Sequence, residues 1–518
     1  MAAAAPSPPP PSSSSSSPAA PPPPAELVAA ATRAGQAHLF ADWNELSEAQ
    51  RARRCSDVAA VDFSALAVAL SAALGAEKKE GGASSSSSST AARNAGCEPW
   101  DRVVSLEGDA NAEQIALWEA KGLETAAAGE LAVVVLAGGQ GTRLGSSKPK
   151  GCFDIGLPCG TSLFGLLAGR VLNLRRRAGA AKGAKGGSGP LARVDLYVMT
   201  SAATHDETVA HFEASGHFGL GREGVFFFRQ GTMPCVTEEG KVILGPRLRR
   251  AAKEARGEAS EQEQEQEQGE EQEQEQGEED EGGGIAASPD GNGGLYAALV
   301  ASGALDRMER RGARVVDVVC VDNALASPGD PAFVGACVSA GASVGCRAVA
   351  RSRPEEKVGV LARDPAGGRL RVLEYSELDP RRAAAVDERT GRPLFAWANV
   401  CMHFFSTRFL RAAAADLGCG PGGRALYHCA RKPIPSFSAA ENADVSVPGI
   451  KLELFIFDAF DAAPEAEVLV CGVARRDAFA PVKNADAADR SVVAADTPAA
   501  ARAALLARRA RVGEERGF

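Results

Sequence analysis

At 518 residues the chain is too long for one simple core, so two or three folded units are expected. Its 45% hydrophobic content is ample for a globular protein, and no run of about 18 apolar residues suggests a membrane span. The formal net charge is −9, yet Gly257–Glu281 alone holds 13 acidic and no basic residues, which leaves +4 on the remainder. A near-neutral, mildly basic body suits an anionic small-molecule substrate and lacks the long basic stripe of a nucleic-acid binder.

Residues 1–24 contain only Met, Ala, Pro and Ser and read as a disordered tail. They carry none of the arginine usual in transit peptides, which favours a cytoplasmic protein over a plastid-targeted one. Dispersed cysteines without C-x-x-C pairs point the same way, to reduced structural thiols. Residues 25–125 form a helical N-terminal region, interrupted near 80–96 by the Gly/Ser linker "GGASSSSSS". In "AGQAHLFADWNELSEAQ", Leu39, Trp43 and Leu46 fall on one helical face, and "AEQIALWEAKGLE" supplies a second amphipathic helix.

Residues 126–461 alternate strands with helices. Leu131–Ala137 is a continuous apolar run, Leu163–Arg175 is helical, and "VDLYVMTS", "GVFFFRQG", "RVVDVVCVDN", "ASVGCRAVA" and "RVLEYSE" supply further strands. That alternation predicts an α/β fold with a mainly parallel, Rossmann-like mixed sheet covered on both faces. Ligands then sit beyond the carboxyl ends of the strands. The Glu/Gln tract, residues 257–284, is polar on every side and reads as a disordered insertion. Residues 462–518 turn alanine-rich and suggest a small C-terminal domain ending in the helix "TPAAARAALLARRARV".

The stretch "LAVVVLAGGQGTRLGSSKPKG" runs from a buried strand into a glycine-rich basic loop. A dinucleotide fingerprint fails because Leu144 stands where the third glycine belongs, and no Walker string occurs. What remains is Gly138–Gly139, a tight turn through Gly141, and two cations, Arg143 and Lys150. Glycines admit a close base or phosphate, and paired cations neutralise phosphate oxygens. The same string also suits a structural turn with solvent-facing cations.

"LAGGQGTRLGSSKPKGCFDIGLPCGTSLF" resembles the signature of the UDP-N-acetylhexosamine pyrophosphorylases, with "AGQAHLFADWNEL", "FFFRQGTMPC", "SPDGNGGLY", "VCVDNAL", "VLEYSEL", "GIKLELFIFD" and "FAPVKNADAAD" following the family in order. Gln140-Gly141-Thr142-Arg143 favours that branch over the related UDP-glucose and UDP-sugar enzymes. The resemblance implies a nucleotide-sugar transferase core. The implied activity joins UTP and an N-acetylhexosamine 1-phosphate into UDP-N-acetylglucosamine, or its galactosamine epimer, with release of pyrophosphate. It places Leu136, Ala137, Gly138, Gly139, Lys150, Gln230, Gly291, Cys320 and Lys451 at UTP, with Gln230 on uracil. Asn292, Glu374, Tyr375, Asn399 and Lys483 face the sugar phosphate, and Asp322 holds Mg²⁺ between strand end and phosphates. Arg143, Lys150 and Lys483 serve the transfer itself. Two departures blur sugar preference: Ala396-Trp397-Ala398 replaces the Asn-Ala-Gly of many animal members, and "GLLAGR" is less polar than usual. A UDP-glucose or broad UDP-sugar pyrophosphorylase and a non-catalytic nucleotide-sugar sensor are the competing readings.

Overall fold

The structure is a computed structural model, and it describes residues 21–77, 94, 96–108, 111–181, 191–247, 282–375, 377–417, 425–438, 441, 443–487 and 493–515. The tail to residue 20, most of the Gly/Ser linker and the Glu/Gln insert through residue 281 lie outside them. The chain divides into two compact units. One comprises Met1–Leu66, Pro234–Ala286 and Arg431–Ile450, the other Ala67–Met233, Ala287–Ala430 and Lys451–Phe518. This division differs from the segments that composition suggests, because sheet pairing brings distant stretches of chain into one body.

In the first unit the stretch around Leu39 and Trp43 is two short 3-10 turns, Ala37–Phe40 and Trp43–Glu45, rather than the expected helix. Leu39, Trp43 and Leu46 are nonetheless all buried, so the apolar pattern marked burial and misread the winding. Local partners override helix propensity here. Gln36 Nε2 donates to the Gly240 carbonyl at 2.8 Å, and the buried Arg54 donates to the Leu39 carbonyl at 2.7 Å and to Asp42 at 3.1 Å. A regular helix follows, Glu48–Ala59, opened by a Ser47/Gln50 capping box.

The second unit holds the main sheet. In chain order the strands of the protein are β1 (Glu98–Pro99), β2 (Val103–Ser105), β3 (Leu131–Leu136), β4 (Asp195–Thr200), β5 (Val225–Arg229), β6 (Thr232–Pro234), β7 (Ala287–Pro289) and β8 (Val315–Cys320). Then come β9 (Val344–Ala350), β10 (Val360–Arg363), β11 (Leu370–Leu373), β12 (Trp397–Ser406), β13 (Tyr427–Ser438), β14 (Ala443–Leu454) and β15 (Val468–Val473). The sheet runs β2-β15-β9-β12-β8-β3-β4-β5, with β1, β10 and β11 attached at its side. β3 "LAVVVL" and β4 are buried at every position, as central parallel strands covered on both faces must be. Helix Leu163–Ala181 covers one face with Phe164, Leu167, Ala168, Val171 and Leu174 in helical spacing. Its start matches expectation and its end runs past Arg175.

β12 was not among the expected strands, and along the path from β2 to β5 it alone runs against its neighbours. It lies antiparallel between β8 and β9, so its first residues share an edge with the last residues of β3, β4, β5 and β8. The register shifts between Asn399 and His403, and Cys401 sits in the left-handed region at φ 53°. β15, expected in a separate C-terminal domain, pairs in parallel with β9 and β2 and is part of this sheet.

Candidate active site

All the expected site residues lie in the second unit, most of them along the carboxyl edge of its sheet. The glycine loop leaves β3 through Ala137, whose N–H donates to the Met199 carbonyl on β4 at 2.7 Å. It is closed by Lys150 N–H to the Gly139 carbonyl at 3.1 Å and by Gly141 N–H to the Lys148 carbonyl at 3.0 Å. The turn therefore presents Gly138 and Gly139 at the strand tip and returns Lys150 towards the sheet. A Cβ on Gly138 would fall on Gln230 Oε1, so the amide that ends the β5 edge lies directly over the loop.

Gln230 is itself fixed. Its Nε2 donates to Asp290 Oδ1 at 3.1 Å and to the Gly291 carbonyl at 3.0 Å. Burial pushes the Asp290 carboxyl up, and the Gln230 hydrogen bond opposes that shift. Gly291 has φ 93°, and a Cβ there would meet Leu454 backbone atoms, including the nitrogen at 2.7 Å. Leu454 N–H donates to the Asp290 carbonyl at 2.7 Å, and Asn292 accepts from Ile456 N–H at 2.9 Å. The Asp290–Asn292 turn is thus sewn to the end of β14, the strand that carries Lys451.

A charged cluster stands at the neighbouring strand tip. Lys150 Nζ is 3.6 Å from Asp322 Oδ2, both half-buried. The Asp322 carbonyl accepts from Val482 N–H at 2.9 Å, which brings Lys483 to the same place. Buried Asn323 fastens this second chain. Its side-chain nitrogen donates to the Ala478 carbonyl at 2.8 Å, and its oxygen accepts from Ala480 N–H at 3.0 Å and from Leu325 N–H at 3.2 Å. The Arg143 carbonyl accepts from Ala485 N–H at 3.1 Å, so the glycine loop is also tied to the lysine segment, while the Arg143 side chain is exposed. Continuing the β8–β12 register sets Cys401 opposite Cys320. The contact with Cys401 and then burial hold the Cys320 thiol well above its ordinary range.

Glu374 and Asn399 meet at Gly359. Asn399 N–H donates to the Gly359 carbonyl at 2.8 Å, and a Cβ on Gly359 would lie 2.9 Å from Glu374 Oε1. Burial, then the Glu377 carboxylate, raise Glu374 to about 7, against the pull of His428 and Lys483. Tyr375 beside it is 51% exposed.

Three residues of this region had no role assigned from sequence. Asn323 stands in "VCVDNAL" and Glu377 in "VLEYSEL" beside the residues that drew attention, and His428 stands in no motif. His428 bonds to Glu377 and Asp458, 51 and 30 residues away, which no local pattern could signal. His403, by contrast, is the packed histidine that its apolar surroundings in "MHFF" suggest. It is buried against Phe460 and Phe405, and burial drives its pKa down to about 3. Phe455 follows β14 and Phe457 lies in the 3-10 segment Ile456–Ala462, with the Phe455 ring against His428.

Asp322 is the only expected metal residue, and among the described residues no group of three or more His, Cys, Asp or Glu is arranged to hold an ion. A single half-exposed carboxylate at a strand tip beside cations suits Mg²⁺, which takes few protein oxygens and completes its shell with phosphates and water.

The chain is similar to known proteins along most of its length. The family described as UTP–glucose-1-phosphate uridylyltransferase matches residues 87–256 and 268–418. UDP-N-acetylglucosamine diphosphorylase 1 of Arabidopsis thaliana is 36% identical over 474 residues, covering 91% of this chain and 80% of that protein. The human UDP-N-acetylhexosamine pyrophosphorylase-like protein 1 is 34% identical, with 92% and 83% covered. The crystal structure of the uridine diphosphate N-acetylglucosamine pyrophosphorylase from Trypanosoma brucei superposes with a TM-score of 0.71 at 31% identity, covering 93% of this chain and 84% of that one. With a glycine loop, an amide and a lysine–aspartate pair gathered at one sheet edge, the chain belongs to the UTP–glucose-1-phosphate uridylyltransferase family, on its UDP-N-acetylhexosamine pyrophosphorylase branch.

Proposed function

We propose that the protein is a uridylyltransferase that makes UDP-N-acetylglucosamine from UTP and N-acetylglucosamine 1-phosphate. A phosphate oxygen of the sugar phosphate attacks the α-phosphorus of UTP in line, and the bond to the β-phosphate bridging oxygen breaks to release pyrophosphate. The nucleophile is already ionised, so the demand is for positioning and cations more than for a general base. Gln230 reads uracil over Gly138, while Leu136, Ala137, Gly139, Gly291 and Cys320 line the nucleotide through their backbone. Lys150 stabilises the reacting phosphate, Arg143 the leaving oxygens, Lys451 the triphosphate and Lys483 the sugar phosphate. Glu374, Tyr375, Asn399 and Asn292 take the sugar. Asp322 would hold Mg²⁺, which supplies charge neutralisation on the phosphates when bound.

The observation that carries this reading is the convergence of Lys150, Asp322 and the Lys483 segment at one strand tip, beside the Gln230 amide seated over the loop. A bare sensor has no need of so many cations around the transferring phosphorus. The deciding assay offers UTP, Mg²⁺ and the 1-phosphates of N-acetylglucosamine, N-acetylgalactosamine and glucose side by side. Preference for an N-acetyl sugar is expected, and glucose 1-phosphate outcompeting both would overturn the assignment. In the same assay Lys150→Ala should cut kcat far more than UTP affinity, where a purely binding role loses both alike. Reduced buried thiols such as Cys337, Cys346 and Cys471 support a reducing compartment, the cytoplasm. No single described helix is long and apolar enough to cross a membrane.

A further inference from the structure

Behind the sugar side of the site lies a half-buried charged triad that the transfer chemistry does not itself require. His428 Nδ1 is 2.9 Å from Glu377 Oε1, and its Nε2 is 3.0 Å from Asp458 Oδ2. With a carboxylate on each nitrogen, both nitrogens must be donors, which makes the ring an imidazolium. Burial alone would strip that proton, but the bonds to Asp458 and Glu377 outweigh it and lift the histidine to about 10. The ring also lies on Phe455, centroids 4.2 Å apart.

Each partner leads to a different part of the site. Glu377 and Glu374 share one turn, in which Glu377 N–H donates to the Glu374 carbonyl at 2.9 Å and Leu378 N–H to the same oxygen at 3.1 Å. Glu377 also accepts from Asn94 Nδ2 at 3.1 Å. Asp458 accepts from Phe455 N–H at 3.3 Å, next to the Leu454 backbone against which Gly291 is packed. The charged groups that face the Glu374 carboxyl are Glu377 and Asp458, which disfavour its ionisation, and His428 and Lys483, which favour it.

We propose that His428 is a positioning residue for the sugar subsite: as a cation clamped between Glu377 and Asp458, it holds the Glu374–Tyr375 turn against the segment leaving β14 and presents Glu374 as a carboxylate to the hexose hydroxyls. The proposal rests on the transferase reading above. Two carboxylates, Glu374 and Glu377, on one turn repel each other, and the imidazolium offsets that repulsion without touching substrate.

The test measures kcat and both KM values for the full chain and for His428→Gln across about pH 5.5 to 8.5. In the unsubstituted enzyme, kcat/KM for the sugar phosphate should fall on the acid side as Glu374 takes a proton. Removing the cation should move that limb to higher pH and raise the sugar-phosphate KM about tenfold near pH 7, with the UTP KM within about twofold. Glu377→Gln removes the like charge instead and should move the same limb to lower pH. A contribution to folding alone predicts lowered thermal stability in both variants with the limb in place, and that result would overturn the proposal. A separate readout needs no turnover: the His428 ring, followed by NMR in the full chain without substrates, should stay protonated through about pH 8. A ring that titrates near its ordinary value overturns the clamp, whereas a protonated ring in a protein inert toward every N-acetyl sugar phosphate overturns the transferase reading instead.

Discussion

Two glycines that look equivalent in sequence are held to different tolerances by their neighbours. A Cβ at Gly138 meets the end of the Gln230 side chain, which gives way only by releasing Asp290 and the Gly291 carbonyl. Gly138→Ala should therefore cost about 0.5–1.5 kcal/mol, read by thermal denaturation, and raise the UTP KM through displacement of the amide that we propose reads the base. A Cβ at Gly291 meets Leu454 backbone in a residue whose φ is 93°, and neither strand nor turn is free to give way. Gly291→Ala should cost about 1–3 kcal/mol of stability, read by thermal denaturation, together with loss of nucleotide affinity. The glycine positions were legible from sequence because close approach leaves a compositional mark. The reason for each was not, since Gln230 and Leu454 reach these glycines only through the fold.

At the scale of elements, the segment Ala478–Lys483 is docked by one buried side chain together with backbone bonds, Val482 N–H to the Asp322 carbonyl and Ala324 N–H to the Ala480 carbonyl. Asn323 makes three hydrogen bonds to it and to its own turn, all buried, and truncation leaves those backbone groups without partners. Asn323→Ala should destabilise the protein by about 1–3 kcal/mol and lower kcat, because the chain leading to Lys483 keeps only its backbone ties beside Asp322. Unchanged kcat with lowered stability would show that Lys483 keeps its place without the staple. The apolar runs of β3, β4, β8 and β9 could be read directly, since strands buried on both faces have little choice of composition, and β5 at the sheet's end showed through its aromatic run. β12 escaped because its alternation is broken at the bulge around Cys401, and the β13–β14 hairpin because half-exposed strands carry a weak signal. The turns at Leu39 and Trp43 show the converse error, where a helical spacing of apolar residues reflected burial alone.

For the whole molecule, the sequence pointed to the α/β class and to the edge where ligands gather, while the division into units followed from pairings between distant segments that no local pattern records. The Glu/Gln tract dominates the formal charge yet matches none of the site blocks. Deleting Gly257–Glu281 should leave kcat and both KM values within about twofold; a larger fall in steady-state assays would give the tract a share in the reaction. The position of β15 bears on how the chain comes to life during synthesis. β2 is made long before its sheet partner β15, and Lys483 follows β15. A ribosome adding about 5–20 residues per second therefore holds the glycine loop and β8 ready for many seconds before the last cation can join them. If Lys483 serves the transfer as proposed, a nascent chain that already holds the glycine loop cannot complete the reaction until the segment after β15 has been made.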